Sequence, residues 1–235
     1  MDASSVYTNG KYLDRNETWH VEDSPWKAEE IYKMMVKNGL QPRVIDEVGC
    51  GAGVILKELS RKPSLLNSRF RGLDISPQAI EMAQADREEN IEFVCGDITR
   101  EKDRHVDILL AIDVFEHVPD YWGFLSACRT AATHKMYHIP LDINVSSVLR
   151  DTSDKFRAKL GHIHLFSAAS ALSTLRDTGH EILDVKYTSG AISLFRHHPS
   201  LKRGMSNIPR GLLGMLSVPW AARIFGGYSL LVLTT

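Results

Sequence analysis

The sequence has few cysteines, no long apolar run and no excess of either charge. Its three cysteines, Cys50, Cys95 and Cys128, show no paired metal-ligand spacing, so we expect reduced, buried thiols. The 28 basic residues are balanced by 29 acidic ones, and a net charge of -1 gives no electrostatic case for a nucleic-acid substrate. No apolar stretch reaches the roughly eighteen residues of a membrane span, and the first residues do not resemble a secretory signal. We therefore expect a cytoplasmic protein with no stable membrane insertion.

The length suits one α/β domain with a well-buried core, since the chain has 235 residues. No internal repeat, low-complexity tract or linker divides it into two cores. We therefore expect a single domain over residues 1–235, with an N-terminal cap (1–39), a core (40–187 and 228–235) and a cap or lid insertion (188–227).

The most informative stretch is an apolar strand that runs into glycines at every second position. Residues 44–48 have the pattern of a strand, Gly49, Gly51 and Gly53 follow, and residues 54–59 have the pattern of a helix. Glycines allow a tight reversal with positive φ and let a ligand approach bare backbone above a helix N-terminus. The pattern is typical of a nucleotide-binding strand, turn and helix.

Glu47 distinguishes between the ligands that such a turn can bind. A dinucleotide site places a pyrophosphate over the turn, where a carboxylate would repel it, and Val54 stands where the third glycine of that fingerprint would fall. S-adenosylmethionine (SAM) has no phosphate and carries a sulfonium and an ammonium, which an acid favours. An NAD(P)-dependent oxidoreductase of Rossmann type is therefore the alternative, not the first choice.

With Glu47, Gly49, Gly51 and Gly53 at the pattern positions, the segment resembles motif I of the class I SAM-dependent methyltransferases. The resemblance implies an α/β fold with a mixed seven-stranded sheet, helices on both faces and small caps. In that fold the last strand lies antiparallel between the fifth and the sixth. It also implies SAM as cofactor and S-adenosylhomocysteine (SAH) as product.

Two further acids follow predicted strands at the distances that this family uses. Asp74 ends a strand over residues 69–75, where an exposed carboxylate can accept both ribose hydroxyls; a structural cap is the alternative. After a strand at 91–95, Asp97 would accept a hydrogen bond from the adenine amine, and the next residue would offer its backbone N–H; an Asx turn is the alternative. The residues expected to bind the cofactor are Glu47, Gly49, Cys50, Gly51, Gly53, Asp74, Ile75, Asp97, Ile98 and Asp113.

The segment after the next strand is the most specific of these motifs. Residues 106–112 are almost continuously apolar, as in a buried central strand, and they lead to Asp113, Glu116 and His117. This closely resembles the segment that follows the fourth strand in many small-molecule methyltransferases, beside the methyl-donating end of the cofactor. A structural alternative is that Glu116 and His117 bond each other and hold the loop.

A second histidine cluster, His162 and His164, precedes a predicted helix and resembles residues that line the acceptor pocket in this family. The two side chains would share a face of an extended segment, yet no cysteine or acid stands at a convincing spacing for zinc. Since a hydroxyl acceptor needs a base, we expect His117 and His164 to be the catalytic candidates. We expect no resident metal, although Asp113, Glu116 and His117 could instead hold a divalent cation.

These observations predict an enzyme that moves the SAM methyl group to an oxygen, in preference to a nitrogen, of a small-molecule acceptor. A SAM-binding protein without catalysis is the remaining alternative, because cofactor motifs survive the loss of an acceptor pocket. The late insertion combines a basic region, residues 196–210, with an apolar region, residues 212–225, broken by Pro219. It could serve as a lid, a homodimer contact or a weak membrane-surface element.

Overall fold

The computed structural model describes residues 22–190, apart from 87 and 102, and residues 210–235. Most of the basic region, with Arg196, Lys202 and Arg203, lies outside the described residues. Within them, seven strands form one sheet in the order β3-β2-β1-β4-β5-β7-β6. The strands are β1 (Val44–Val48), β2 (Arg69–Asp74), β3 (Ile91–Cys95), β4 (Val106–Ile112), β5 (Ala132–Pro140), β6 (Ile182–Thr188) and β7 (Ser229–Thr234).

Helices alternate with the first strands and cover both faces of the sheet. They are α1 (Ser24–Lys37), α2 (Val54–Ser60), α3 (Pro77–Gln84), α4 (Tyr121–Ala131), α5 (Val145–Leu149), α6 (Ser153–Leu160), α7 (Ala168–Asp177) and α8 (Val218–Phe225). Short 3-10 turns occupy Pro63–Leu65, Ile98–Arg100 and Phe115–His117. Among the described helices, none has the length and apolar character needed to cross a bilayer.

The strand pairing is the one that the resemblance implied. Strands β1 to β5 pair in parallel, and β7 lies antiparallel between β5 and β6. The parallel strands therefore end at one edge of the sheet, where open α/β sheets bind their ligands.

The core has two layers, because side chains alternate across each strand. In β4, Ile108, Leu110 and Ile112 pack with α1, α2 and α3, whereas Leu109 and Ala111 pack with α4, α7 and α8. This double burial explains why β4 is apolar along its whole length.

Two further segments are helical. The polar stretch after residue 144 forms α5 and α6, and Asn144 caps the first of them. Within the late insertion, residues 210–216 and α8 are helical. Pro219 lies in the first turn of α8, where a missing N–H costs no intrahelical bond. The prediction of buried thiols is wrong for Cys95, which is exposed at the C-terminal end of edge strand β3.

His180 is the clearest titrating group of the core. Its ring is 3% exposed, Nε2 lies 2.7 Å from the Tyr137 hydroxyl, and Nδ1 lies 3.2 Å from the Leu175 carbonyl oxygen. Burial, and then the positive charge of Lys135, lowers the pKa of His180 to about 4. The folded protein therefore holds this imidazole neutral.

We expect the free energy of unfolding to fall as the pH decreases from 6.5 towards about 4. In that window the unfolded chain binds a proton that the folded chain does not, so acid favours unfolding. Urea unfolding across this pH range measures the slope, and His180→Gln should flatten it. His105→Gln, at an exposed position, is the matched control. Equal slopes for the parent and His180→Gln would contradict the assignment.

Candidate active site

A cleft of about 880 Å³ opens where the carboxyl ends of β1, β2 and β4 meet. Its volume is in the range of cofactor sites. Most of the predicted residues line it, namely Glu47, Gly49, Cys50, Gly51, Asp74, Ile75, Asp97, Ile98, Asp113 and His117. The lining does not include Gly53 or His164.

The glycine turn is held in a conformation that only glycine adopts easily. Gly49, Gly51 and Gly53 have φ values of 70°, 53° and 73°. A Cβ at Gly49 would lie 2.5 Å from the Val114 side chain, and a Cβ at Gly53 would overlap the Phe93 ring. Gly49 and Gly51 therefore shape the cleft wall, whereas Gly53 acts through close packing behind it.

Glu47 is a buried acid that faces this cleft. It is 1% exposed, and within the described part of the chain its Oε2 has no hydrogen-bond partner. Burial raises the pKa of Glu47 well above its usual range, with Lys27 opposing the shift and Asp74 adding to it. A buried carboxylate oxygen without a partner is costly, and a cationic ligand in the cleft would remove that cost.

Asp74 lies where the sequence placed it, but it is not exposed. It is 7% exposed, Oδ2 accepts a hydrogen bond from the Gly51 amide (2.9 Å), and Oδ1 accepts one from the Ser76 amide (2.8 Å). The prediction of an open loop mouth was wrong because the glycine turn folds over this carboxylate. Asp74 braces the glycine turn against the start of α3, and it still lines the cleft.

The structure is compatible with both interpretations of Asp97, an Asx turn and a contact with adenine. Asp97 accepts hydrogen bonds at Oδ1 from the Thr99 amide (2.9 Å) and hydroxyl (2.8 Å), so the Asx turn is present. Its side chain is also 38% exposed at the cleft wall, beside the buried Ile98 and the exposed Ile75. The capping role and an adenine contact are therefore compatible.

A charge network that the sequence did not indicate fixes the loop after β4. Asp113 has φ 55°, a strained value for a residue with a side chain. Lys27 Nζ lies 2.8 Å from Asp113 Oδ2 and 3.1 Å from Asp23 Oδ2. His138 Nδ1 lies 2.6 Å from Asp113 Oδ1, and its Nε2 lies 2.9 Å from the Thr188 hydroxyl.

Lys27 is the centre of this network. Burial alone would lower the pKa of Lys27 and raise that of Asp113, but the attraction between the network's charges outweighs burial and shifts both pKa values the other way. The sequence contained one indication of this network: Lys27 lies one turn before Ile31, on the apolar side of a helix expected to cover the site.

The other end of the cleft brings together two histidines and an acid. His117 and His162 line the cleft with ring centroids 4.9 Å apart, and Glu116 is fully buried beside them. The Glu116 carbonyl oxygen accepts hydrogen bonds from the amides of Ile163 and His164, which holds the two chain segments together. His117 Nε2 lies 3.9 Å from Glu116 Oε1, too far for the loop-holding hydrogen bond considered above.

His162, and not His164, belongs to this cluster. His162 Nδ1 lies 2.6 Å from the Asp142 carboxylate. His164 points elsewhere: its Nε2 lies 3.1 Å from the Val118 carbonyl oxygen, and its ring packs on Tyr121 at 4.6 Å. The catalytic role expected for His164 stays a prediction that its position does not support. No sequence spacing linked His162 to Glu116, since only the fold brings them together.

Comparison with known proteins agrees with this geometry. Residues 47–135 match the sequence family described as a methyltransferase domain. The matched segment runs from β1 into β5 and includes the glycine turn and the loop after β4. Over 98 residues it is 28% identical to a ubiquinone biosynthesis O-methyltransferase of Cupriavidus pinatubonensis, which is 39% of this chain and 38% of that protein. The match thus spans well under half of the curated relative. A ubiquinone biosynthesis O-methyltransferase of Neisseria meningitidis is 29% identical over 93 residues, 37% of each chain.

Solved structures extend the likeness of the methyltransferase domain to the whole fold. The TM-score is 0.64 against magnesium protoporphyrin IX methyltransferase of Synechocystis PCC 6803, solved with SAH, at 16% identity over 100% of this chain and 99% of the other. It is 0.65 against a plantazolicin methyltransferase, also solved with SAH, at 18% identity over 99% and 93%. The predicted class I methyltransferase fold is confirmed.

We expect Lys27→Met to lower the free energy of unfolding by about 3 kcal/mol or more, because it leaves Asp113 buried without its cation. Urea unfolding measures the change. Lys37→Met is the matched control, since Lys37 is 68% exposed in its pair with Asp184 and should contribute less than about 1 kcal/mol. Equal effects of the two substitutions would mean that the buried network does not stabilise the fold.

Proposed function

We propose that this methyltransferase domain is a SAM-dependent enzyme that methylates an oxygen, in preference to a nitrogen, of a small-molecule acceptor. The observation that carries the proposal is Glu47, a buried carboxylate with an unpartnered oxygen at a glycine turn. That arrangement suits a ligand with a cationic group and no phosphate there. The SAH bound in similarly folded methyltransferases supports the same choice.

The described residues fit this cofactor along the length of the cleft. Glu47 would accept hydrogen bonds from the ammonium group, the turn at Gly49 and Gly51 would let the ligand lie against backbone, and Asp74 and Asp97 would face the ribose and adenine. When bound, SAM supplies a methyl group activated by its sulfonium sulfur. The residues of the chain orient the two reactants and exclude water, which can account for much of the rate.

The transfer balances as a single displacement. The acceptor oxygen forms a bond to the methyl carbon, the carbon–sulfur bond breaks, and its electron pair stays on sulfur to give the thioether of SAH. The hydroxyl proton leaves at the acceptor end of the cleft, where the imidazoles of His117 and His162 lie. This proton acceptance favours an oxygen acceptor, as does the O-methyltransferase activity of the ubiquinone biosynthesis relatives.

The alternatives have weaker support. An oxidoreductase would place a pyrophosphate beside buried Glu47. A SAM-binding protein without catalysis gives no purpose to the cluster at the far end of the cleft. A net charge of -1 supports a partner other than nucleic acid, and cytoplasmic location and a homodimer contact in the late insertion remain part of the proposal.

We expect the protein to bind SAH and not NAD, because Glu47 attracts an ammonium and repels a pyrophosphate. Isothermal titration calorimetry with both ligands decides this. Glu47→Gln should weaken SAH binding by about 10- to 100-fold, since it removes a charge-assisted hydrogen bond. Glu81→Gln, at an exposed position on α3, should bind like the parent. Tighter binding of NAD than of SAH would overturn the proposed function.

We expect His117→Ala to lower turnover by about 10²- to 10⁴-fold with nearly unchanged SAH affinity. The reason is that His117 lies at the acceptor end of the cleft. His164→Ala is the matched comparison and should have a much smaller effect. A screen of SAM turnover with phenols, sugars and amines first identifies an acceptor. Activity should also fall in acid, where imidazoles become protonated. Parental turnover in His117→Ala would remove His117 from the chemistry.

A further inference from the structure

We infer that Glu116, His117 and His162 form a binding site for a divalent transition ion of the Zn²⁺ type, at the acceptor end of the cleft. The inference rests on the proposed function and deepens it, since the ion would serve the same methyl transfer. It replaces the sequence-based alternative of Asp113, Glu116 and His117, and the expectation that no metal is resident.

The three side chains present their ligand atoms to one small volume. One potential ligand atom from each residue lies within 4.8 Å of the other two. Metal–ligand bonds of about 2.0–2.2 Å place ligand atoms roughly 3–3.5 Å apart, so small side-chain rotations would close the set around an ion.

Glu116 supplies an independent reason to expect a cation. It is fully buried, and in the described part of the chain neither Oε1 nor Oε2 has a hydrogen-bond partner. Such a carboxylate is unfavourable unless a positive charge compensates it. His117 Nε2 lies 3.9 Å from Glu116 Oε1, and a ring nitrogen of His162 lies within 4.8 Å of the ligand atoms of both residues.

Hydrogen bonds at Nδ1 set the orientation and the tautomer of both imidazole rings. His117 Nδ1 lies 3.0 Å from the Gly161 carbonyl oxygen, and His162 Nδ1 lies 2.6 Å from the Asp142 carboxylate. Both acceptors require a proton on Nδ1, which leaves Nε2 as the coordinating nitrogen of each ring. Histidine ligands in metal sites are oriented in this way by an outer carboxylate or carbonyl.

Asp113 is not part of the ligand set. Its two carboxylate oxygens are occupied by Lys27 at 2.8 Å and His138 at 2.6 Å. The remaining set of two imidazoles and one carboxylate is that of catalytic zinc sites, which keep one position open. Mg²⁺ and Ca²⁺ instead favour all-oxygen sites. Because His117 and His162 line the cleft, the open position would face the acceptor, and a cation there would supply Lewis acidity to a hydroxyl.

The test measures metal binding apart from activity. Chelator-treated full-length protein is titrated with Zn²⁺ by calorimetry and with Co²⁺ by visible absorption. We expect one equivalent of each to bind the parent, with a Co²⁺ spectrum of a site containing nitrogen ligands. Glu116→Gln and His162→Ala should weaken Zn²⁺ binding by at least 100-fold. Asp142→Asn, which replaces the carboxylate that orients His162, should weaken it by about 10- to 100-fold. His164→Ala, the matched histidine control two positions away, should bind like the parent.

Two further measurements distinguish the loss of metal binding from the loss of the folded structure. SAH affinity, measured on each variant, reports whether it is folded. Metal-free Glu116→Gln should unfold at a temperature at least as high as the metal-free parent, because it removes a buried carboxyl group that has no hydrogen-bond partner among the described residues, yet it should gain no stability from Zn²⁺. Absence of stoichiometric Zn²⁺ binding in the parent, or parental binding in both ligand variants, would overturn the metal site. Failure of the parent to bind SAH would overturn the proposed function instead. The metal site would still be decided by the Zn²⁺ titrations of the parent and the ligand variants.

Discussion

The site depends on an imbalance of charge: in the part of the chain that the structure describes, Lys27 is the lysine that acts on three buried carboxyl groups, those of Glu47, Asp113 and Glu116. Lys27 pairs directly with Asp113, and its charge also acts on Glu47 and Glu116. Asp113 is compensated by Lys27 and His138, and Asp74 by backbone amides. Glu47 and Glu116 keep oxygens without a partner among the described residues. Because buried anions are unfavourable without compensation, the cleft is electrostatically prepared for cationic ligands at both ends.

The same lysine couples helix α1 to the loop after β4. Helix α1 packs on the sheet through its apolar side, and Lys27 reaches from it to the residue that follows β4. Asp113, held in a left-handed conformation, redirects the chain into the 3-10 turn that carries Glu116 and His117. The position of the His117 end of the cleft therefore depends on the contact between Asp113 and Lys27, which lies on a helix more than eighty residues earlier in the chain.

Short stretches of sequence, and the family resemblance that they carry, made the fold and the residues of the glycine turn predictable. The glycine turn, the apolar β4 and the acids at strand ends are each written in a few consecutive residues, and the structure brings them to one edge. The rest depended on tertiary contacts. Contacts between distant segments bury Asp74, pair Asp113 with Lys27, and bring His162 close to Glu116. In the sequence, Lys27 is visible only as a lysine on the apolar face of a helix. His162 lies 46 positions after Glu116, so nothing local indicates that the two residues meet.

The distribution of charge along the cleft also bears on turnover. Methyl transfer converts the sulfonium of SAM into a neutral thioether, so an uncompensated carboxylate beside the sulfur would stabilise the reactant more than the transition state and slow the reaction. In the resembled family the residue after β4 lies near that sulfur. Here the position is Asp113, whose charge is offset by Lys27 and His138. The unpartnered Oε2 of Glu47 lies instead at the glycine turn, where in the proposed function it would bind an ammonium group that the reaction does not change. Compensation at Asp113 therefore lets the cleft attract a cationic cofactor without opposing the loss of its sulfonium charge.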